Sequence, residues 1–149
     1  GQKAGSGSGL SHKLHLRVYQ GLLKAQVKRV ITMTQTTQFE LVTPARVMVS
    51  KPVEMVVIPG SEGLFGVLAH HAPMLANLQR GIVEVYEGGR VIDRIMIDSG
   101  VADVSFEAVT ILAERAENLD TASSQEVRER ALSSTGAEAD FLNVVAEVI

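Results

Sequence analysis

The side chains best suited to chemistry in this 149-residue chain are two adjacent histidines, His70 and His71. Imidazoles can bind a metal ion or transfer a proton near neutral pH. Neighbouring residues of an extended chain point to opposite sides, so the two rings are poorly placed to bind one ion. No third ligand of suitable spacing lies nearby. The pair therefore predicts exposed loop histidines and no metal site.

Three aspartates, Asp93, Asp98 and Asp103, recur at a spacing of five residues. Two carboxylates that share a site can act as general acid and general base. Because side chains alternate across a strand, successive members of this series face opposite sides. We therefore expect solvated strand faces and no catalytic pair of carboxylates.

The remaining motifs also fail to form an active site. Residues 59–63 are glycine-rich, but the Gly-Lys-Ser/Thr that completes a P-loop does not follow them. The chain has no cysteine, which excludes disulfides, thiolate metal sites and a cysteine nucleophile. The sequence therefore predicts no catalytic residue and no cofactor, and it favours an interaction module.

Charge divides the chain into two parts near Met33. Residues 1–32 contain six Lys or Arg and no acid, whereas residues 33–149 carry all seventeen acids and a net charge of −9. Three interpretations of the basic segment remain open. It is an engineered or upstream addition before a native start at Met33, a targeting segment, or a basic arm that binds acidic lipid or nucleic acid.

From Gln38 to Glu114 the pattern is typical of short β-strands. Apolar and polar residues alternate in several runs, and turn signals separate the runs. Glu87-Gly88-Gly89-Arg90 predicts a hairpin, because two glycines supply the positive φ angles of a tight two-residue turn. Pro52 and Pro59-Gly60 are expected to end two strands, and a turn or bulge is expected near Glu107-Ala108. The pattern predicts a β-sandwich or barrel.

After Glu114 the pattern changes to helices. Ser123-x-x-Glu126 and Thr135-x-x-Glu138 each match a capping box, which marks the start of a helix. Isolated helices this short are marginal in water, so we expect them to pack on each other, on the sandwich or on a partner. The expected apolar stripe of the second helix consists of Phe141, Leu142, Val145 and either Val148 or Ile149.

The segment from Ile58 to Leu75, IPGSEGLFGVLAHHAPML, resembles a signature of the epsilon subunit of F-type ATP synthases. Two positions depart from the usual family pattern, since Arg80 replaces a proline and Val101 replaces a glycine. The resemblance covers about residues 39–120 and also rests on four other segments: residues 39–44, 80–83, 98–104 and 109–114.

This resemblance implies an α+β fold. An N-terminal antiparallel β-sandwich of about ten strands would be followed by a short C-terminal helical hairpin. On this basis we divide the chain into a basic segment outside the family (residues 1–32), a sandwich domain (residues 33–117) and a two-helix region (residues 118–149).

The resemblance also implies a function. Family members are non-catalytic subunits of the central stalk that bind the gamma subunit and the ring of c subunits, and reach the catalytic alpha/beta head indirectly. They couple proton-driven rotation to ATP synthesis. In a bacterium, this chain would be peripheral on the cytoplasmic face of the inner membrane, with no nucleic acid partner.

The family loop that carries the SEG and HAP motifs faces the c ring. Carried over to the matching positions of this sequence, the c-ring-facing residues are Glu62, Gly63, Leu64 and His71.

Family members that bind ATP carry an [IL]DxxRA motif at the first helix. Here residues 119–124 have Ser123 in place of the arginine, and losing a guanidinium removes a phosphate partner. The resemblance therefore implies weak or no ATP binding, with Arg128 and Arg130 as alternative partners. Because the second helix is short and acidic, we also expect weak or absent inhibition of ATP hydrolysis.

A second hypothesis comes from a different functional class. The chain could be a stand-alone β-sandwich binding module whose basic arm, residues 1–32, binds acidic lipid or nucleic acid. This hypothesis depends on residues 1–32 being native. The absence of tryptophan and the low aromatic content, 4%, argue against a stacking platform for single-stranded nucleic acid.

Overall fold

The computed structural model describes residues 36–149. Predictions that concern residues 1–32, including the basic arm, lie outside the described residues. The described part contains ten β-strands and two α-helices: β1 Thr37–Val42, β2 Val47–Val53, β3 Met55–Gly60, β4 Gly63–Leu68, β5 Met74–Leu78, β6 Gly81–Glu87, β7 Arg90–Ile97, β8 Gly100–Val104, β9 Ala108–Ala113, β10 Ala116–Asn118, α1 Ser124–Leu132 and α2 Gly136–Val148.

The strands pair in the order β10-β7-β6-β3-β5-β8-β9-β1-β2, and β4 pairs with β3 outside this path. Neighbours are antiparallel except for β1 and β9, which are parallel. The sheet folds over on itself, since strands at opposite ends of the order come into contact. Lys51 Nζ on β2 lies 2.6 Å from Asp93 Oδ2 on β7. The predicted α+β class, a sandwich followed by a helical hairpin, is confirmed.

Seventeen buried residues fill the space inside the sandwich. They follow the alternation seen in the sequence: Phe39 and Leu41 of β1 are fully buried, while Gln38 is exposed and Glu40 partly exposed. Burial of these inward-facing side chains is the main favourable contribution to folding of the sandwich.

The predicted hairpin at Glu87–Arg90 is confirmed. Gly88 and Gly89 have φ angles of 59° and 74°, and Glu87 pairs with Arg90 across the turn. The turn expected near Glu107-Ala108 lies between Val104, where β8 ends, and Ala108, where β9 begins. Within it, Ala108 N–H donates to Ser105 Oγ at 3.1 Å.

The predicted strand end at Pro59-Gly60 is confirmed, since β3 ends at Gly60, whereas the end predicted at Pro52 is wrong, since β2 continues to Val53. Pro52 belongs to β2, which pairs only with β1 among the described strands, and an edge strand tolerates a missing N–H. Pro59 belongs to β3. Its carbonyl accepts from Gln79 N–H at 3.0 Å, and the β6 pairing with β3 covers only residues 55–57. No hydrogen bond between these strands therefore requires a backbone N–H at Pro59.

The two predicted helix caps have different outcomes. Ser123 is the N-cap of α1, and its Oγ accepts from Glu126 N–H at 3.1 Å, so this cap is confirmed. Thr135 is the N-cap of α2 but makes no side-chain cap hydrogen bond, so that part of the prediction is wrong. Gly136, the first residue of α2, has a φ of 61°, which lies outside the helical range.

The two helices pack on each other and on the sandwich, as expected. Val148 and Ile149 are 41% and 39% exposed, so the predicted apolar stripe stops at the last turn of α2. The contact is a second apolar cluster of eight buried residues: Met96, Leu119, Val127, Ala131, Phe141, Leu142, Val145 and Ala146.

Candidate functional site

The β3–β4 hairpin carries three of the four residues predicted to face the c ring. Gly60 pairs with Gly63, and Ser61 and Glu62 form the turn. The φ of Gly63 is 131°, a conformation that residues with a Cβ rarely adopt. Nothing lies within 4 Å of a Cβ added there, so backbone conformation is the reason for glycine at this position.

The tip of this hairpin presents both charge and apolar surface. Leu64 is 71% exposed, and Glu62 is exposed and has no ion pair within residues 36–149. The Glu62 carboxylate can form an ion pair with a cation on another surface, and the exposed Leu64 can pack against an apolar side chain of that surface. We call Ser61–Leu64 the hairpin tip.

His71 does not lie at the hairpin tip. It belongs to the connection between β4 and β5, at the other end of β4 from Glu62. A strand of six residues such as β4 separates its ends by about 17 Å. His71 Nδ1 lies 2.7 Å from the Ala72 carbonyl oxygen. The structure therefore brings Glu62, Gly63 and Leu64 together but not His71.

The neighbouring His70 is engaged with an aromatic side chain. Its ring stacks on Phe106 with centroids 4.2 Å apart and planes 7° apart. Its φ of 63° turns the chain sharply between the two histidines. Within residues 36–149, no group of three His, Asp or Glu side chains is placed to bind a metal ion.

The aspartate series differs from the prediction at Asp98. This side chain is only 13% exposed and accepts from Arg80 Nε at 3.0 Å and from Arg115 Nη1 at 2.9 Å. The expectation of a solvated carboxylate is therefore wrong for Asp98. Asp98 follows the end of β7 at Ile97, and the local sequence contains no information about the two arginines that the fold brings to it.

Arg80 joins this cluster to the helical hairpin. Its Nη1 lies 3.1 Å from Asp140 Oδ2 of α2, and its guanidinium carbon lies 5.8 Å from the centre of the Phe141 ring, within cation–π range. The hydrogen bond to Asp98 raises the pKa of Arg80, although burial opposes this shift. The residue that replaces the family proline thus holds α2 against the sandwich.

The helix start that lacks the family arginine has a structural role here. Ser123 is occupied in capping α1. Arg130 forms an ion pair with Glu117, which is 7% exposed, and this hydrogen bond raises the pKa of Arg130. Arg128 Nε donates to Ser124 Oγ at 3.2 Å. Both alternative phosphate partners are therefore engaged with neighbouring side chains.

An open cavity of about 540 Å³ lies where the β1–β2 turn, the start of β10 and the two helices meet. Three arginines and four glutamates line it, so its charge does not favour a polyphosphate. The charged lining residues are Arg46, Arg115, Arg130, Glu114, Glu117, Glu126 and Glu138.

A second surface is the outer face of the sheet formed by β2, β1, β9 and β8. Val47 pairs with Val42, Val42 with Leu112, and Leu112 with Val101. These four side chains form one row across four strands, which we call the apolar row. Val47, Leu112 and Val101 are 60%, 56% and 38% exposed. The neighbouring row contains Glu40 and Asp103, so acidic groups lie beside the apolar row.

None of the helices in residues 36–149 has the length and apolar character needed to span a bilayer. The described part of the chain is thus a sandwich with an exposed hairpin tip, an exposed apolar row and a docked helical hairpin.

Comparison with known proteins identifies the family. Residues 36–119 match the model described as "ATP synthase, Delta/Epsilon chain, beta-sandwich domain". The ATP synthase epsilon chain of Rhodospirillum rubrum is 45% identical over 98 residues, which are 66% of this chain and 73% of the relative. The epsilon chain of Granulibacter bethesdensis is 38% identical over 112 residues, 74% of this chain and 83% of the relative.

A solved structure of the Euglena gracilis mitochondrial ATP synthase, OSCP/F1/c-ring, contains a similar chain. The TM-score is 0.55 at 27% identity, and the match covers 76% of this chain and 74% of that chain. The chain belongs to the delta/epsilon family of ATP synthase subunits, which confirms the resemblance. It is of the structural and regulatory type of subunit and is not a catalytic one.

Proposed function

We propose that this chain is an epsilon-type subunit of the central stalk of an F-type ATP synthase, where it binds gamma and the c ring and couples rotation to ATP synthesis. The supporting observation is the family match over residues 36–119, which includes all strands of the sandwich. A stalk that transmits torque must resist deformation, and a close-packed sandwich core is stiff.

The c-ring contact is assigned to the hairpin tip. Glu62 and Leu64 are exposed side by side, and the conformation of Gly63 holds the turn that presents them. His71, the fourth residue carried over from the family, lies at the other end of β4. Any contact that it makes with the ring is therefore a separate one.

The gamma contact is assigned to the apolar row. Isolated exposed apolar side chains are normal, but a contiguous set marks an interaction surface. Four apolar side chains in one cross-strand row form such a set. Glu40 and Asp103 beside it favour a partner surface with basic residues next to its apolar ones.

Weak or absent inhibition of ATP hydrolysis and weak or absent ATP binding belong to the same proposal. The helical hairpin is docked on the sandwich through buried Phe141 and through Arg80. Its second helix carries Glu138, Asp140 and Glu147 and no basic residue in its last turn. We further propose a peripheral position on the cytoplasmic face of a bacterial inner membrane, as part of the complex.

The gamma assignment is tested by co-elution of the full chain with the gamma subunit of the same organism on size exclusion. We expect a one-to-one complex, and we expect Leu112→Gln to weaken binding by about tenfold, the effect of losing about 1.4 kcal/mol. Leu132→Gln is the matched control, because Leu132 is 88% exposed on α1, outside the apolar row. Wild-type chain that elutes alone would contradict the stalk function, whereas equal binding of both variants would contradict only the assigned surface.

The c-ring assignment is tested in the assembled complex by cross-linking from a single introduced cysteine. We expect Glu62→Cys to form a product with subunit c, while Glu87→Cys, at the β6–β7 hairpin, gives none. Equal yields from the two positions would contradict the assignment of the hairpin tip.

A further inference from the structure

Among residues 36–149, one edge of the sheet has no pairing partner, and this edge is formed by β4. This strand pairs in register with β3 along all six residues and has no other strand partner among the described residues. Outside the β3 ladder, residues 63–68 form no backbone hydrogen bond within residues 36–149. Half of the main-chain groups of β4 therefore face away from the protein.

The register identifies which groups these are. Pro59 and Leu64 are partners, yet the Pro59 carbonyl bonds to Gln79 N–H on the other side of β3. Pro59 and Leu64 are therefore a pair without mutual hydrogen bonds, and such pairs alternate with bonded ones along an antiparallel ladder. The N–H and C=O groups directed outward are consequently those of Leu64, Gly66 and Leu68.

The same three residues shape the surface beside this edge. Leu64 and Leu68 are 71% and 60% exposed, and Gly66 between them has no side chain. This leaves a notch between the two leucines. Met55 of β3 lies beside this notch, since Met55 Sδ is 3.7 Å from the position of a Cβ added to Gly66.

The described sheet has two more edge strands: β10, which has only three residues, and β2, which differs from β4 in several respects. Strand β2 contains Pro52, its Lys51 is paired with Asp93, and its register with β1 shifts between Leu41 and Val42. Proline, charge and irregular register are the devices that prevent an edge from pairing with another chain. The sequence GLFGVL of β4 has none of them, and its register is regular.

We propose that the free edge of β4 binds an extended segment of another ATP synthase subunit, which adds a strand to the sheet; this inference rests on the proposed function. Main-chain bonds to Leu64, Gly66 and Leu68 supply the affinity. A large apolar or aromatic side chain of the segment fills the notch over Gly66. A basic residue at one end of the segment pairs with Glu62, which adjoins the edge at the hairpin tip.

A second copy of this chain fits the edge less well. Antiparallel pairing of two β4 strands about a two-fold axis would place Gly66 opposite Gly66 of the other copy. The notch would then stay empty on both sides, and unfilled apolar space costs stability. A segment of different sequence can fill it.

The proposal is tested by amide hydrogen exchange on the full chain, alone and in the assembled ATP synthase. In the free chain we expect fast exchange at Leu64, Gly66 and Leu68 and slow exchange at Phe65 and Val67, which are bonded to β3. Assembly should slow the first three amides by at least about tenfold. Unchanged exchange at these amides in a complex that contains the chain would overturn the proposal and leave the proposed function intact.

Amino-acid substitutions at the β4 edge test which contacts slow the exchange of its amides. Leu64→Lys combined with Leu68→Lys should lower the affinity for a complex depleted of this subunit by about tenfold or more, whereas Leu132→Lys should not change it. Gly66→Ala adds a Cβ that meets only an ordinary van der Waals contact with Met55, and it should weaken binding while the sandwich remains folded. Protection that appears in the free chain as its concentration rises would assign the edge to a second copy and overturn the partner segment. Failure of the wild-type chain to enter the depleted complex would refute the proposed function itself.

Discussion

The sandwich and the helical hairpin are held in different ways. Seventeen buried residues form the core of the sandwich, whereas eight form the cluster under the helices, and two of these, Met96 and Leu119, belong to the sandwich side. The hairpin depends in addition on partly exposed ion pairs of Arg80 and Arg130. The comparison indicates that the hairpin can be released at a lower cost in free energy than unfolding of the sandwich.

The largest expected effect comes from removing the core of the sandwich. Phe39 is fully buried in β1, and Phe39→Ala should lower the free energy of unfolding by about 3–5 kcal/mol. Because the helices dock on the sandwich, strand and helix signals should be lost together. Chemical denaturation followed by circular dichroism measures this. Helices that outlast the strands would contradict the dependence of the hairpin on the sandwich.

The next effect separates the two regions. Phe141 is 1% exposed in the second cluster, and Phe141→Ala should destabilise docking of the hairpin by about 3 kcal/mol. The sandwich should keep its own unfolding midpoint. Amide exchange should therefore accelerate in α1 and α2 and stay unchanged in β1 and β9. Equal acceleration in all four elements would show that the regions form one cooperative unit.

A smaller effect is expected at the junction. Arg80→Gln removes the ion pairs with Asp98 and Asp140 and the cation–π contact with Phe141, while Arg115 stays on Asp98. We expect a loss of about 1 kcal/mol that shrinks with added salt. The raised pKa of Arg80 keeps its side chain charged at any pH below its usual titration range. The contribution of Arg80 to the free energy of unfolding should therefore not change between about pH 6 and 9. Arg90→Gln, in the β6–β7 hairpin, is the control. A salt-independent loss would assign the effect to packing.

The smallest effects distinguish the two helix caps. Ser123→Ala should cost about 1 kcal/mol, because the bond from Glu126 N–H is lost. Thr135→Ala should change stability by less than about 0.5 kcal/mol, because Thr135 makes no cap bond. Thermal unfolding of the two variants measures the difference. Similar losses would mean that Thr135 acts through another contact.

The sequence predicted the regular strands well and the irregular ones poorly. Alternation identified β1, β8 and β9, and the glycine pair identified the β6–β7 hairpin. The strand pattern did not reveal β4, which Gly66 interrupts, nor β5, nor β10, which has only three residues. Their number was expected only from the family resemblance. Short strands acquire their conformation from neighbours that are distant in the chain, so a local pattern contains little information about them.

The four residues carried over to the c-ring-facing loop remain a prediction, and the structure places only three of them together. Glu62, Gly63 and Leu64 are adjacent in sequence and stay adjacent at one turn. His71 belongs to the same motif region, yet the length of β4 separates it from them. The part played by Arg80 was also missed, since its partners Asp98 and Asp140 are 18 and 60 residues away.

By itself, the sequence determined the features that depend on short-range chemistry. These are the alternation that forms the core, the turn at Gly88-Gly89, the cap at Ser123 and the lack of an active-site motif. Only the tertiary structure decided the pairing of Asp98 with two arginines, the apolar row across four strands and the edge of β4, which has no partner strand among residues 36–149. Each of these depends on which strands become neighbours, and that is set by the free energy of burying the whole core and not by any local segment.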